Sequence, residues 1–274
     1  MPDYKEKVTK LCELMDTYAK EDIMVAFSGG ADSGLLLKLA CEAVKKTGHN
    51  VYAVFLKSML HPAGEEKEAE KTAREIGAKF MVVYADELEK AGIEYNPEDR
   101  CYRCKKYLFQ MIIREAQKLH INTIMEGTNQ DDLFVYRPGI RAVKELGIIS
   151  PLAASGFTKK EVRKLAGEYK ISVSDKPAAP CLATRFPYGT KISYEEMHRV
   201  DDGERFLRKL GFYNVRLRVH DDIVRIEVDE KDISLLFSYR EKIVCYLKEL
   251  GYSYITVDLE GFRSGSMDLH INKE

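Results

Sequence analysis

The chain has 274 residues, 45% hydrophobic and 32% charged, with 43 Lys and Arg against 44 Asp and Glu for a net charge of -1. That length suits two modest domains or one large one, and the near-neutral balance gives no bulk electrostatic reason to hold nucleic acid. No basic segment followed by an apolar one opens the chain and no run of about eighteen apolar residues occurs, so membrane spanning is not expected and a cytoplasmic location is.

A helical pattern from about Val8 to Ala19 leads into the apolar run Ile23-Met24-Val25-Ala26, read as a strand. Phe27-Ser28-Gly29-Gly30-Ala31-Asp32-Ser33 follows and opens a second helical pattern that runs to about Lys46. Strand, loop and helix start in that order make a phosphate cradle. Gly29 and Gly30 let backbone approach an anion, Ser28 and Ser33 add hydroxyl donors, and the helix N-terminus supplies N–H groups and positive dipole density. Asp32 would repel a phosphate on its own, so its presence points to a bridging cation, most simply Mg2+. The spacing is neither that of the usual ATPase loop nor the dinucleotide fingerprint. It resembles the Ser-Gly-Gly-x-Asp-Ser loop of the PP-loop ATP pyrophosphatases, in which ATP adenylates a carbonyl or carboxylate oxygen, pyrophosphate leaves, and a nitrogen or sulfur nucleophile displaces AMP.

The alternation continues with strand Val51 to Leu56, a charged helix Glu65 to Ile76, strand Phe80 to Tyr84, a helix near Tyr107 to Leu119 and strand Thr123 to Met125. This predicts an α/β fold, a parallel sheet flanked by helices, with ligands outside the carboxyl ends of the strands. Glu126-Gly127-Thr128-Asn129-Gln130-Asp131-Asp132 leaves the fourth strand at that same edge, either as part of a nucleotide site or as a polar turn.

Six cysteines in such a chain argue for metal binding, catalysis or burial rather than a disulfide framework. Cys101-Tyr102-Arg103-Cys104 lies just before a predicted helix, among Arg100, Arg103, Lys105 and Lys106, where cations and the helix N-terminus favour thiolate. No second Cys-x-x-Cys completes a closed zinc site. Should Cys181 fold over the strand ends toward that pair, three thiolates would suit a four-iron four-sulfur cluster with one open position; otherwise the pair is unmetallated and Cys181 acts alone. Cys12, Cys41 and Cys245 fall in amphipathic helix patterns and read as buried small hydrophobes.

Pro177, Pro180, Pro187 and Gly189 punctuate Lys176 to Thr190, which is read as the boundary between domains of residues 1–186 and 187–274. Beyond it come helix Tyr194 to Leu210, strand Tyr213 to Val219, an Asp221-Asp222 turn, strand Val224 to Val228, helix Ile233 to Leu250 and strand Tyr254 to Leu259, a smaller C-terminal α+β unit. Alternation in Val215-Arg216-Leu217-Arg218-Val219 sets Arg216 and Arg218 on one strand face, as a phosphate clamp or as a solvated face. Arg263 either joins them or ends a strand.

The loop at Ser28 to Ser33, Arg100 to Lys105, Gly127 to Asp132, Pro180-Cys181-Leu182-Ala183-Thr184-Arg185 and Asp258 to Ser266 together resemble the LarE family, ATP-dependent sulfur transferases of nickel-pincer nucleotide biosynthesis, over nearly the whole chain. The resemblance implies an adenine nucleotide alpha hydrolase-like fold. It also implies adenylation of a carboxylate on pyridinium-3,5-biscarboxylic acid mononucleotide, release of pyrophosphate, and replacement of AMP by sulfur, twice over. By the same resemblance Cys101, Cys104 and Cys181 hold a four-iron four-sulfur cluster; in some members the cysteine matching Cys181 instead gives up its own sulfur and becomes dehydroalanine. Glu126 would lie near the adenylated substrate and Glu204, Arg216, Arg218 and Arg263 would form its phosphate pocket, with Arg185 and Lys106 as further anion contacts. Sulfide or a sulfur-donor protein would be the other reactant, and a hexamer the assembly. A PP-loop tRNA thiolase is the rival enzyme, though the chain lacks the net basic charge that class would use; a nucleotide-binding regulator whose cysteines sense iron is the rival of another class.

Overall fold

A computed structural model describes residues 3–61, 64–135, 138–171, 181–263 and 265–267. Lys176, Pro177 and Pro180, named above, lie outside the described residues, as does residue 264. The chain divides into two compact units, the first comprising residues 1–58, 63–92 and 99–179, the second 59–62, 93–98 and 180–274.

In the first unit the elements run α1 (Tyr4–Tyr18), β1 (Ile23–Ala26), α2 (Ala31–Val44), β2 (Val51–Ser58), α3 (Glu65–Ile76), β3 (Lys79–Ala85), α4 (Glu87–Lys90), α5 (Arg100–Lys118), β4 (Thr123–Met125), α6 (Gly139–Glu145), α7 (Pro151–Ala154) and α8 (Lys159–Glu168). Among the described residues the strands form a fully parallel sheet in the order β3-β2-β1-β4. A parallel sheet needs apolar side chains on both faces, because its crossovers place helices on each. Successive strand residues do alternate: Ile23, Val25, Ala53 and Met125 enter one core with α1, α2 and α8, while Met24, Val54 and Ile124 enter another with Phe109 and Ile112 of α5. Leu35, Leu36 and Leu37 are buried in succession, so α2 is the central helix rather than an amphipathic surface one.

Helix α5 begins earlier than its apolar periodicity suggests, at Arg100 instead of Tyr107, so Cys101 and Cys104 sit in its first turns and not ahead of it. Asp99 explains the extension. Its carbonyl accepts from the N–H groups of Tyr102 and Arg103, and its carboxylate pairs with Arg103 Nε at 2.7 Å. Helices α6 to α8 are short, and their periodicity is too brief to stand out from the flanking loops. The view of Cys12, Cys41 and Cys245 as uniformly buried needs correction: all three lie in helices, but only Cys41 is buried, Cys12 is half-buried and Cys245 is exposed beside Glu249.

The second unit holds α9 (Tyr194–Lys209), β5 (Val215–His220), β6 (Ile223–Val228), α10 (Ile233–Ser238), α11 (Arg240–Glu249) and β7 (Tyr254–Val257). β5 and β6 form an antiparallel hairpin closed by Asp221 and Asp222, with Asp221 at φ 54°, and β7 joins β6 in parallel. Ser193 caps α9 reciprocally with Glu196. α9 buries Met197, Val200 and Leu207, and its Phe206 stacks on Tyr246 of α11 with ring centroids 4.1 Å apart. The single helix expected over 233–250 is two, turning at Tyr239, whose ring packs edge-on against Phe212. Segments 59–62 and 93–98 are stitched in by backbone bonds from Leu182 N–H to Leu60 O at 2.7 Å and from Ile192 N–H to Glu94 O at 2.8 Å. Among the described residues no helix is long and apolar enough to cross a membrane.

Candidate active site

The phosphate loop leaves β1 at Phe27, whose N–H donates to Val54 O at 2.9 Å and whose ring is buried. Gly29 then takes φ +72°, and a Cβ there would stand 3.2 Å from Ala69 Cβ on α3. Both the sign of φ and the room call for glycine. Gly30 is the extended N-cap of α2, so Asp32 and Ser33 belong to the first helical turn. Ser28 N–H donates to Ser33 Oγ at 3.2 Å, the two hydroxyls lie 3.1 Å apart, and Ser33 Oγ reaches Gly30 O at 3.3 Å. The two serines thus fix the loop's curvature, and the helix start presents N–H groups that the helix itself cannot satisfy.

Residues 126–132 press on that helix start. A Cβ on Gly127 would meet Ser33 N at 3.0 Å and Asp32 Cβ at 3.1 Å. Glu126, buried at the end of β4, accepts from Lys105 Nζ at 3.2 Å, from Thr128 N–H at 3.0 Å, from Thr128 Oγ1 at 2.8 Å and from Ser150 Oγ. Burial alone would push its pKa up. Lys105 and the hydroxyl and amide donors outweigh that and hold the carboxyl below the usual range, so it is an anion at neutral pH. Asp32 accepts from Lys159 Nζ and from Asn129 Nδ2, the latter at 3.4 Å.

Cys101 is exposed, with Arg100 Nη2 3.9 Å from its sulfur, and Cys104 is half-buried one turn on. Lys106 is engaged on the α5–α6 surface, donating to Tyr102 Oη at 2.8 Å and Glu145 Oε2 at 2.9 Å. Among the described residues no group of three or more His, Cys, Asp or Glu is gathered as a metal centre.

Within the second unit, half-buried Cys181 precedes a 3-10 turn over Leu182–Arg185. Its carbonyl accepts from Thr184 Oγ1 at 2.7 Å and Arg185 Nη1 at 3.1 Å. Arg185 is almost fully buried and grips Glu204 with two parallel bonds, Nε to Oε1 at 2.8 Å and Nη2 to Oε2 at 2.9 Å. Arg208 Nη2 and Leu217 N–H complete the shell of Glu204 at 2.7 and 3.1 Å. Burial opposes the charge on Glu204, but Arg185 foremost, then Arg216 and Arg208, keep it ionised. Arg218 is likewise spent, pairing with Glu227 at 2.9 Å and donating to Thr184 O at 2.9 Å, and Arg263 pairs with Glu260 at 2.7 Å.

Arg216 differs. Among the described residues it makes no ion pair; it donates to Val215 O at 2.7 Å and its guanidinium lies 5.1 Å from the Phe262 ring centre. Burial, and then the positive charge of Arg185, pull its pKa down to about 10, with Arg208 and Arg218 adding to the effect against Glu204. An incoming anion is what such a guanidinium lacks. The sequence singled out the loop, Glu126 and these arginines, but not Ser150 or Lys159, and Lys105 only as one of a basic cluster. The Thr158-x-x-Glu161 pattern, which forms a reciprocal cap at the start of α8, was an available signal that Lys159 opens a helix.

A PP-loop domain family profile matches residues 3–136. The chain is 36% identical over 268 residues to an uncharacterized protein of Synechocystis sp., covering 97% of this chain and 99% of that one. It is 35% identical over 268 residues to pyridinium-3,5-bisthiocarboxylic acid mononucleotide synthase of Lactiplantibacillus plantarum, covering 98% and 95%. A protein of Methanocaldococcus jannaschii is 31% identical over 262 residues, covering 95% and 99%.

Proposed function

The chain belongs to the LarE family of ATP-using PP-loop enzymes, and we propose that it converts pyridinium-3,5-biscarboxylic acid mononucleotide into the bisthiocarboxylic acid nucleotide. The observation that carries this reading is the apposition of the Ser28–Ser33 cradle and the Glu126 loop across Gly127, which supports binding a nucleotide triphosphate at the strand ends. A substrate carboxylate oxygen attacks the α-phosphorus of ATP, the bond to the β-phosphate breaks, and pyrophosphate leaves. The N–H groups at the start of α2 and the hydroxyls of Ser28 and Ser33 take up the charge on the departing phosphates. A sulfur nucleophile then attacks the acyl carbon, and the carbon–oxygen bond to AMP breaks. Two rounds give the dithiolated product.

Asp32 supplies an oxygen ligand beside the phosphate cradle and fits Mg2+, which supplies charge neutralisation to the pyrophosphate. Ionised Glu126 with Lys105 gives a fixed polar wall near the reacting carboxylate. In the second unit, Arg216 is the arginine available to a substrate phosphate, while Arg185, Glu204 and Arg218 hold the Cys181 turn in place. Cys101 and Cys104, one turn apart on α5, and Cys181 would be the thiolate ligands of a four-iron four-sulfur cluster. Such a cluster would supply the sulfide to be transferred.

Anaerobic purification followed by iron and sulfide analysis, and the intact mass after turnover with ATP and the biscarboxylate nucleotide, tests the reading. About four irons per chain, several products per chain and an unchanged mass are expected. Absence of iron with a mass loss of roughly 34 Da, the equivalent of hydrogen sulfide leaving a cysteine, would make Cys181 the sacrificial donor. No pyrophosphate release under either condition would overturn the reaction itself.

A further inference from the structure

Lys159 occupies the first position of α8, directly after the N-cap Thr158. A helix N-terminus carries partial positive charge, so a lysine there is set against the dipole and gains by reaching an anion elsewhere. That anion is Asp32 of the phosphate loop, 127 positions away in sequence, to which Lys159 Nζ donates. The lysine's backbone is anchored to the other wall of the site: its N–H donates to Asp131 Oδ2 at 2.8 Å, and Gln130 N–H donates to Phe157 O at 2.7 Å. Both partners are therefore fixed to the 127–132 loop, Asp32 through Asn129 and Lys159 through Asp131.

An acid within an anion cradle is neutralised by a cation from solution or by an ammonium from the chain. Here the ammonium is in place, on a flexible stem that lets it change partners without moving the backbone. We propose that Lys159 is a phosphate-binding residue of the ATP site, paired with Asp32 before nucleotide arrives and transferred to the β- and γ-phosphates when a divalent cation takes over Asp32. The proposal rests on the reading of the loop as an ATP site and adds to it a second cation, supplied by the chain. The exchange leaves no charge unpaired: the metal replaces the ammonium on Asp32, and the ammonium meets the phosphates that come with the metal.

Calorimetric titration of the full chain with α,β-methylene-ATP tests it. Lys159→Met is expected to bind the Mg2+ complex of the analogue about tenfold more weakly than the wild type, and Lys159→Arg, which keeps a cation, to stay within about threefold. Asp32→Asn frees Lys159 and is expected to bind the metal-free analogue about tenfold more tightly than the wild type, a gain lost when Lys159→Met is added. Unchanged affinity in Lys159→Met, or a double variant that keeps the gain, overturns the proposal while leaving the ATP reading intact. Failure of the wild type to bind the Mg2+ complex overturns that reading and the proposal with it. Should Lys159→Met not fold, Lys159→Gln takes its place in both measurements.

Discussion

Glu126 is a buried carboxylate at the sheet edge, beside the phosphate loop. Its carboxylate is held ionised by Lys105, Ser150 and Thr128 against the pull of burial, so its pKa is lower folded than unfolded. Such a group stabilises the fold above its unfolded value, and that stability is lost as pH falls through the folded value. Urea unfolding measured from neutral pH into the acid range is therefore expected to show a decline in the wild type that Glu126→Gln flattens; an equally steep decline in the variant would remove Glu126 as its source. The sequence drew attention to this residue because it leaves the fourth strand, with a glycine after it, at the edge where the phosphate loop lies, and because of the family resemblance. Its partner Ser150 was not, being 24 positions away in an unremarkable stretch, and neither was Lys159. Local spacing reveals what a loop contains, whereas ion pairs closed over long separations depend on how the sheet edge brings loops together.

At the scale of elements, the contact between the loop that leaves β4 and the first turn of α2 determines the shape of the cradle. Gly127 passes within 3.0 Å of the backbone nitrogen of Ser33, measured from where a Cβ would be, so a side chain there presses on backbone and not on a flexible tip. Gly127→Ala is expected to destabilise the fold by about 1–3 kcal/mol through overpacking and to weaken α,β-methylene-ATP binding in parallel. Chemical denaturation alongside the calorimetric titration checks both, and a stable variant with normal binding would mean the loop yields. The strands and long helices of both units were readable from periodicity, because alternating faces and a 3.6-residue repeat persist over several residues. α6, α7 and α8 were not, and the early start of α5 depends on Asp99, whose bonds to Arg103 and Tyr102 carry no hydrophobic signature.

At the scale of the molecule, the second unit is discontinuous in sequence. Leu60, Glu94 and Asn96 come from excursions out of the first half, and buried Asn96 donates its side-chain amide to Phe186 O at 2.9 Å and to Pro187 O at 2.8 Å. A fragment of residues 181–274 therefore lacks part of its own interior, and is expected to show no cooperative unfolding transition where the full chain does. A sharp transition from the fragment would mean these bonds are dispensable. The order of synthesis gives the same feature a temporal meaning. Leu60 and Asn96 leave the ribosome long before Leu182 and Phe186 exist, so the C-terminal unit cannot close on itself as it emerges. It must thread its first residues onto two anchors already laid down, and at about 5–20 residues per second that interval lasts several seconds. A chain stalled between residues 100 and 180 would hold Leu60 and buried Asn96 with nothing yet to cover them.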